Sequence, residues 1–177
     1  ICPQLLKRKG LDLSAITDLF GALSPEERSR IMLLYREKTQ DPENAYNNLQ
    51  WLTHNLPEGG RQLMTYGDPK WVHELGLAGL HCPDQTPLAP VRQALGTTPI
   101  LGCSRHQSTL KGDEGALGAD YLFFSPVFPP ISKTAQGPVL GLTQLATGIT
   151  KCQIPVIGLG GVVPEQSKQI RNAGAHG

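Results

Sequence analysis

The chain has 177 residues, enough for one domain with a sizeable core. Sixteen Lys and Arg against 15 Asp and Glu leave a formal net charge of +1, so charge gives no footprint of a nucleic-acid or anionic-membrane partner. There is no apolar run of membrane-spanning length and no signal-peptide pattern, and Cys2, Cys82, Cys103 and Cys152 are scattered without Cys-x-x-Cys spacing. These cysteines read as reduced, mostly strand-buried thiols, and the setting as cytoplasmic.

In chain order, Ile1-Cys2 ahead of Pro3-Gln4 reads as the tail of a first strand. Lys7-Arg8-Lys9 is a short solvated basic run. Ser14 to Leu23 places Ile16, Leu19, Phe20 and Leu23 at helical spacing. Ser24-Pro25-Glu26-Glu27 is a capping box with proline at the first helical position, so a brief helical turn starts there. Ile31–Tyr35 is the second strand and runs into Arg36-Glu37-Lys38. Asp41-Pro42 caps a helix with Ala45, Leu49, Leu52 and Leu56 on one face. Gln62–Tyr66 and Leu77–Cys82 are the third and fourth strands, the latter ended by Pro83-Asp84. Pro87–Leu95 is a short helix, and Pro99–Cys103 a fifth strand leading into Ser104-Arg105-His106.

Asp120–Ser125 is the sixth strand, and its continuous apolar run Tyr121–Phe124 suits burial on both faces, as in a parallel sheet. Pro126, Pro129 and Pro130 then remove backbone donors and stop the strand before Ser132-Lys133. A helix carrying Leu142, Leu145 and Ile149 follows, then a seventh strand, Ile154–Leu159, closing in Gly160-Gly161. Pro164 opens a last helix that Gly174 ends.

Strands alternating with helices make a βα repeat, and this many units point to a TIM (β/α)8 barrel rather than a doubly wound sheet. An eighth strand is expected to begin at Ala175-His176-Gly177. The expectation is therefore one barrel domain over residues 1–177, a fragment with a partial first strand and the eighth absent.

In such a fold the last residues of each strand reach one face, where ligands bind. Those residues here are Arg36 and Lys38, which point the same way because they are two apart, then Ser104, Ser132, Lys133, Gly158, Gly160 and Gly161. Glycines at a strand end let backbone N–H groups approach a phosphate. Each feature alone has a plainer reading. An Arg-Glu-Lys triplet is also a solvated turn, Ser104 or His106 also a helix-start residue, and His81 a packed histidine. Their recurrence at the same ends of successive strands points to a pocket for a ligand with more than one phosphate.

Gly102-Cys-Ser104-Arg-His106, Gly118-Ala-Asp-Tyr121, Ser125-Pro-Val-Phe-Pro129, Ser132-Lys133 and Ile154-Pro-Val-Ile-Gly-Leu-Gly-Gly161 resemble the thiamine phosphate synthase and TenI-like superfamily. Pro164-Glu165 and Asn172-Ala-Gly174 continue the likeness, and Arg36-Glu37-Lys38 is its one earlier trace. The resemblance implies a TIM barrel that joins hydroxymethylpyrimidine pyrophosphate to a thiazole phosphate and releases pyrophosphate. By that resemblance Arg36, Lys38, Ser104 and Lys133 are the catalytic set on the pyrophosphate. Ser132, Gly158, Gly160, Gly161 and His106 bind substrate, mainly the thiazole phosphate. It also implies Mg²⁺, for which Asp68 and Asp84 are the nearest carboxylates. The chain departs from the family pattern at Leu34 (a glutamine in the family), at Met64–Asp68 (an Asn-Asp pair), at Thr86 (a metal-ligand carboxylate) and at Pro130 (a threonine). The alternatives are a TenI-like protein without synthase activity, whose catalytic histidine would fall on Pro126, and a non-catalytic phosphate-ligand binder. Partners are expected to be small phosphorylated pyrimidine and thiazole metabolites, with no nucleic acid and no membrane.

Overall fold

A computed structural model describes residues 1–37, 41–106, 110–129 and 138–177. Contacts divide the chain into two compact units. The first comprises residues 1–81 and 93–100, the second 82–92 and 101–177.

The first unit opens with three short helices, α1 (Pro3–Arg8), α2 (Ser14–Ala22) and α3 (Pro25–Ser29). The expected capping box is formed at α3: Ser24 accepts from the Glu27 N–H while the Glu27 carboxylate accepts from the Ser24 N–H. Strand β1 (Leu33–Tyr35) is shorter than the apolar run 31–35, because Ile31 and Met32 are exposed. Helix α4 (Pro42–Asn55) begins where Asp41 accepts from the Asn44 N–H, and it buries Ala45, Leu49 and Leu52 as the spacing predicts. Strand β2 (Leu63–Thr65), helix α5 (Pro69–Glu74) and strand β3 (Gly79–Cys82) follow.

The first-unit strands are parallel neighbours in chain order. Tyr35 pairs with Thr65, and Thr65 in turn with Leu80. Gly79 has to be glycine, since a Cβ there would lie 2.0 Å from the Ile100 carbonyl oxygen. Tyr35 is wholly buried, and its hydroxyl accepts from the Asn48 side chain; burial pushes its pKa up to about 12, so it stays a phenol. Ile1 is not in a strand, yet its amino group donates to Leu34 and its carbonyl accepts from the Arg36 N–H. That straddles Tyr35 in the manner of a parallel ladder.

The second unit holds β4 (Ile100–Arg105, all but its first residue), β5 (Tyr121–Phe124) and β6 (Val156–Gly158), again parallel and in chain order. Helix α6 (Leu88–Leu95) precedes β4, α7 (Gly141–Ile149) precedes β6, and α8 (Ser167–Asn172) follows a turn of 3-10 helix at Pro164–Gln166. Leu122, Phe124, Leu145, Val156 and Ile170 form the core. Burial of β5 on both faces is not found: Leu122 and Phe124 are buried, whereas Tyr121 and Phe123 are half-buried and meet edge-to-face at 5.2 Å. Neighbouring side chains on a strand take opposite faces, so the apolar run is a core face plus an aromatic face. At the far edge of β6, His176 donates to the Val156 carbonyl and Gly177 accepts from Gly158.

The architecture is α/β with parallel strands, each preceded by helix or loop, as the βα repeat predicts. All four cysteines are free, and burial pushes Cys82 and Cys103 up to about 11 and about 12, so both are unreactive thiols. No helix among the described residues is long and apolar enough to cross a membrane.

Candidate functional site

In the first unit the strand register assembles the site. Tyr35 is level with Thr65 and Thr65 with Leu80, so the next residues, Arg36, Tyr66 and His81, are level on three adjacent strands. Level residues of parallel strands share a face. Accordingly the Arg36 guanidinium lies over the Tyr66 ring, 4.9 Å from its centre. The same ring stacks on His81 at 5.4 Å and 25°. His81 is 1% exposed. Burial, with the positive charge of Arg36 second, lowers its pKa to about 4, so it is a neutral packed ring as its plainer reading holds. Lys38 lies outside the described residues.

In the second unit, Ser104 sits inside β4 rather than after it, level with Phe123. Arg105, also within the strand, is buried against Glu114 with nitrogen and oxygen 3.3 Å apart, and its guanidinium also donates to the Ser104 carbonyl. Glu114 further accepts from the N–H groups of Lys111 and Gly112, so one buried carboxylate ties the end of β4 to the loop beyond it. His106 places Nδ1 2.6 Å from the Ser125 carbonyl. A carbonyl only accepts, so Nδ1 carries the hydrogen, and Nε2 is left 4.0 Å from the Asp84 carboxylate.

After β6, Gly160 and Gly161 both have positive φ, +89° and +66°. A Cβ on Gly161 would lie 2.2 Å from the Pro129 carbonyl oxygen, and one on Gly160 2.8 Å from Pro126. The closeness comes from two ladder-like bonds, Val127 N–H to Leu159 and Phe128 N–H to Gly160. The carbonyls of this turn are thus occupied, while the N–H groups of Gly160 and Gly161 have no acceptor among the described residues. Gly158 differs, since its N–H donates to Gly177. Ser132 and Lys133 lie outside the described residues.

Of the two carboxylates expected near a metal, Asp68 accepts from the Lys70 N–H as the cap of α5. Asp84 accepts from the Gln85 N–H. No group of three His, Cys, Asp or Glu side chains that could hold a metal converges among the described residues. Mg²⁺ takes one or two carboxylates together with phosphate oxygens and water, and the carboxylates that follow β2 and β3 are Asp68 and Asp84, each with one oxygen accepting a backbone N–H.

Sequence reasoning missed Tyr66, whose neighbours emerge only from register, and the Arg105–Glu114 pair, since a charge gives no hint in sequence that it is buried. The fold is parallel α/β, with the Arg36 guanidinium at one strand end and positive-φ glycines at another. The comparisons narrow this. Residues 28–177 match the family described as thiamine monophosphate synthase, and the chain belongs to that family. It is 33% identical over 147 residues to thiamine-phosphate synthase of Syntrophomonas wolfei, covering 82% of this chain and 70% of that one. Against the enzyme of the same name from Nitrosococcus oceani it is 27% identical over 175 residues, 97% of this chain and 76% of that one. Among solved structures, thiamine phosphate pyrophosphorylase from Pyrococcus furiosus shares the fold, with a TM-score of 0.64 at 20% identity over 80% of this chain and 68% of that one.

Proposed function

We propose that the chain is a (β/α)8-type thiamine phosphate synthase of the cytoplasm that joins hydroxymethylpyrimidine pyrophosphate to thiazole phosphate. The observation that carries this reading is the family match over residues 28–177, a span that takes in Arg36, Ser104 and Gly160-Gly161. The bond between the pyrimidine's methylene carbon and the pyrophosphate oxygen breaks, and its electron pair leaves with pyrophosphate. The thiazole nitrogen then gives its lone pair to that carbon. No proton need move, so the task is stabilising the departing anion. Arg36, Ser104, Lys38 and Lys133 hold the pyrophosphate. The Gly160 and Gly161 amides, with Ser132, His106 and the backbone at Gly158, hold the thiazole phosphate. Two consecutive positive-φ residues with open N–H groups suit that second role. Mg²⁺, where bound, would neutralise pyrophosphate charge, with Asp68 and Asp84 as the carboxylates for it; no step here is routed through it.

The test is pyrophosphate release from the two substrates together, with magnesium in excess. Release that requires both, with equal formation of thiamine phosphate, is expected; no release at all overturns the reading. The second reading is a thiazole-phosphate binder without synthase activity. It is favoured by the departures from the family pattern at Leu34, Thr86 and Pro130. Binding of thiazole phosphate without release is its signature.

A further inference from the structure

Resting on the reading of Ser104 as a group that holds pyrophosphate, we infer that Phe123 is a specificity-determining residue, the platform against which the substrate's pyrimidine ring stacks. Phe123 is level with Ser104 on one neighbouring strand and with Ile157 on the other. Level residues of parallel strands share a face. A hydroxyl, an aromatic ring and an aliphatic side chain therefore stand in one row near the carboxyl ends of β4, β5 and β6.

This row lies on the face of β5 that the core does not take. Leu122 and Phe124, on the core face, are 0% and 1% exposed. Phe123 is only half-buried, so part of its ring reaches solvent beside Ser104. The ring is also propped. Gly102 and Tyr121 are level one step earlier on the same face, and a Cβ on Gly102 would lie 2.1 Å from the Tyr121 ring. Tyr121 thus lies across β4 where another residue would have its side chain. Phe123 meets it edge-to-face, with centres 5.2 Å apart and planes at 60°. With the space over Gly102 taken, the Phe123 ring is kept from folding back along the strand and stays at the level of Ser104.

The chemistry selects which ring it serves. In the proposed reaction the pyrimidine is joined to pyrophosphate through a single methylene carbon, so a group beside Ser104 is within reach of that ring. A flat heterocycle gains dispersion and quadrupole contact from a phenyl ring, and inorganic pyrophosphate gains neither. Phe123 therefore favours the pyrimidine ester over the free pyrophosphate that leaves it.

The experiment is calorimetric titration, with magnesium in excess, of hydroxymethylpyrimidine pyrophosphate and separately of inorganic pyrophosphate into the full chain, for the parent, Phe123→Tyr and Phe123→Leu. The parent is expected to bind the ester more tightly than inorganic pyrophosphate. Phe123→Tyr, which keeps the ring, stays within about twofold of the parent for both ligands, whereas Phe123→Leu weakens the ester roughly three- to tenfold and leaves inorganic pyrophosphate within about twofold. Equal loss for both ligands in Phe123→Leu, no loss for either, or the same ester affinity in Phe123→Tyr and Phe123→Leu overturns the inference. If Phe123→Leu does not fold, Phe123→Met against Phe123→Tyr makes the same comparison. Ring-selective binding without pyrophosphate release on adding thiazole phosphate rejects the synthase reading alone. Release by the parent with unchanged ester affinity in Phe123→Leu rejects only this inference, and a parent that binds neither ligand overturns both.

Discussion

The strand ends of the first unit and those of the second present hydrogen-bond donors in different ways. After β1, β2 and β3 the donors are side chains, with Arg36 held over Tyr66 and Tyr66 stacked on His81. After β6 the donors are backbone amides, held by the positive φ of Gly160 and Gly161 and by close packing on Pro126–Pro129. A guanidinium carries full charge and tolerates ligand movement. An amide nest carries partial charge at fixed positions and suits one small phosphate. In the reaction proposed above, one phosphate group departs and another stays put, and the difference suits that proposal. It also means the first site breaks by side-chain change, and the second by anything that disturbs the backbone.

The sharpest way to break the second unit alone is Glu114→Ala. It strands Arg105 in the core and frees the N–H groups of Lys111 and Gly112. A loss of about 3–5 kcal/mol is expected, as for other buried pairs deprived of one partner, read as a lower urea midpoint. A change under about 1 kcal/mol would mean the pair is solvated.

The first unit has its own lever in pH. Burial, with the positive charge of Arg36 second, pushes the His81 imidazole down to about 4 in the folded chain, against about 6.5 for a solvated one. The unfolded chain therefore takes the proton first on acidification. Its contribution is complete above about pH 6.5 and is lost as pH falls toward 4, about 3 kcal/mol in all. Parent and His81→Phe, a variant that keeps a stacked ring, should diverge in stability over that window and run parallel above it. Parallel curves throughout would show that His81 is solvated.

Smallest of the three, Gly161→Ala should cost about 1–3 kcal/mol, because alanine must adopt φ near +66° with its Cβ against the Pro129 carbonyl. It should weaken inorganic phosphate binding more than pyrophosphate binding at Arg36. Equal losses for both ligands would erase the distinction between the two sites.

Much of this was legible in the sequence where one signal sufficed. Ser24 to Glu27 announced its capping box, Asp41-Pro42 its helix, and Ala45, Leu49 and Leu52 their shared buried face. Helix α5 was missed although Asp68-Pro69 repeats the Asp-Pro start of α4, because Val72 is its only buried residue and no apolar stripe shows. Helix α1 buries nothing and gave no stripe either. β4 ran to Arg105 rather than Cys103 because the polar Ser104-Arg105 reads as a loop until Glu114 supplies a buried partner. The strand-end cations and glycines could be named one by one, but that Tyr66 lies beneath Arg36 follows only from pairing register, which no single strand encodes.

The most direct test of the account is pyrophosphate release by the parent and by Arg36→Ala, both given the two substrates and shown to melt alike. The account predicts release by the parent and a fall of tenfold or more in Arg36→Ala, on the order of the 1.5–3 kcal/mol of a charged hydrogen bond. Equal rates in the two proteins, or none in the parent, would contradict it.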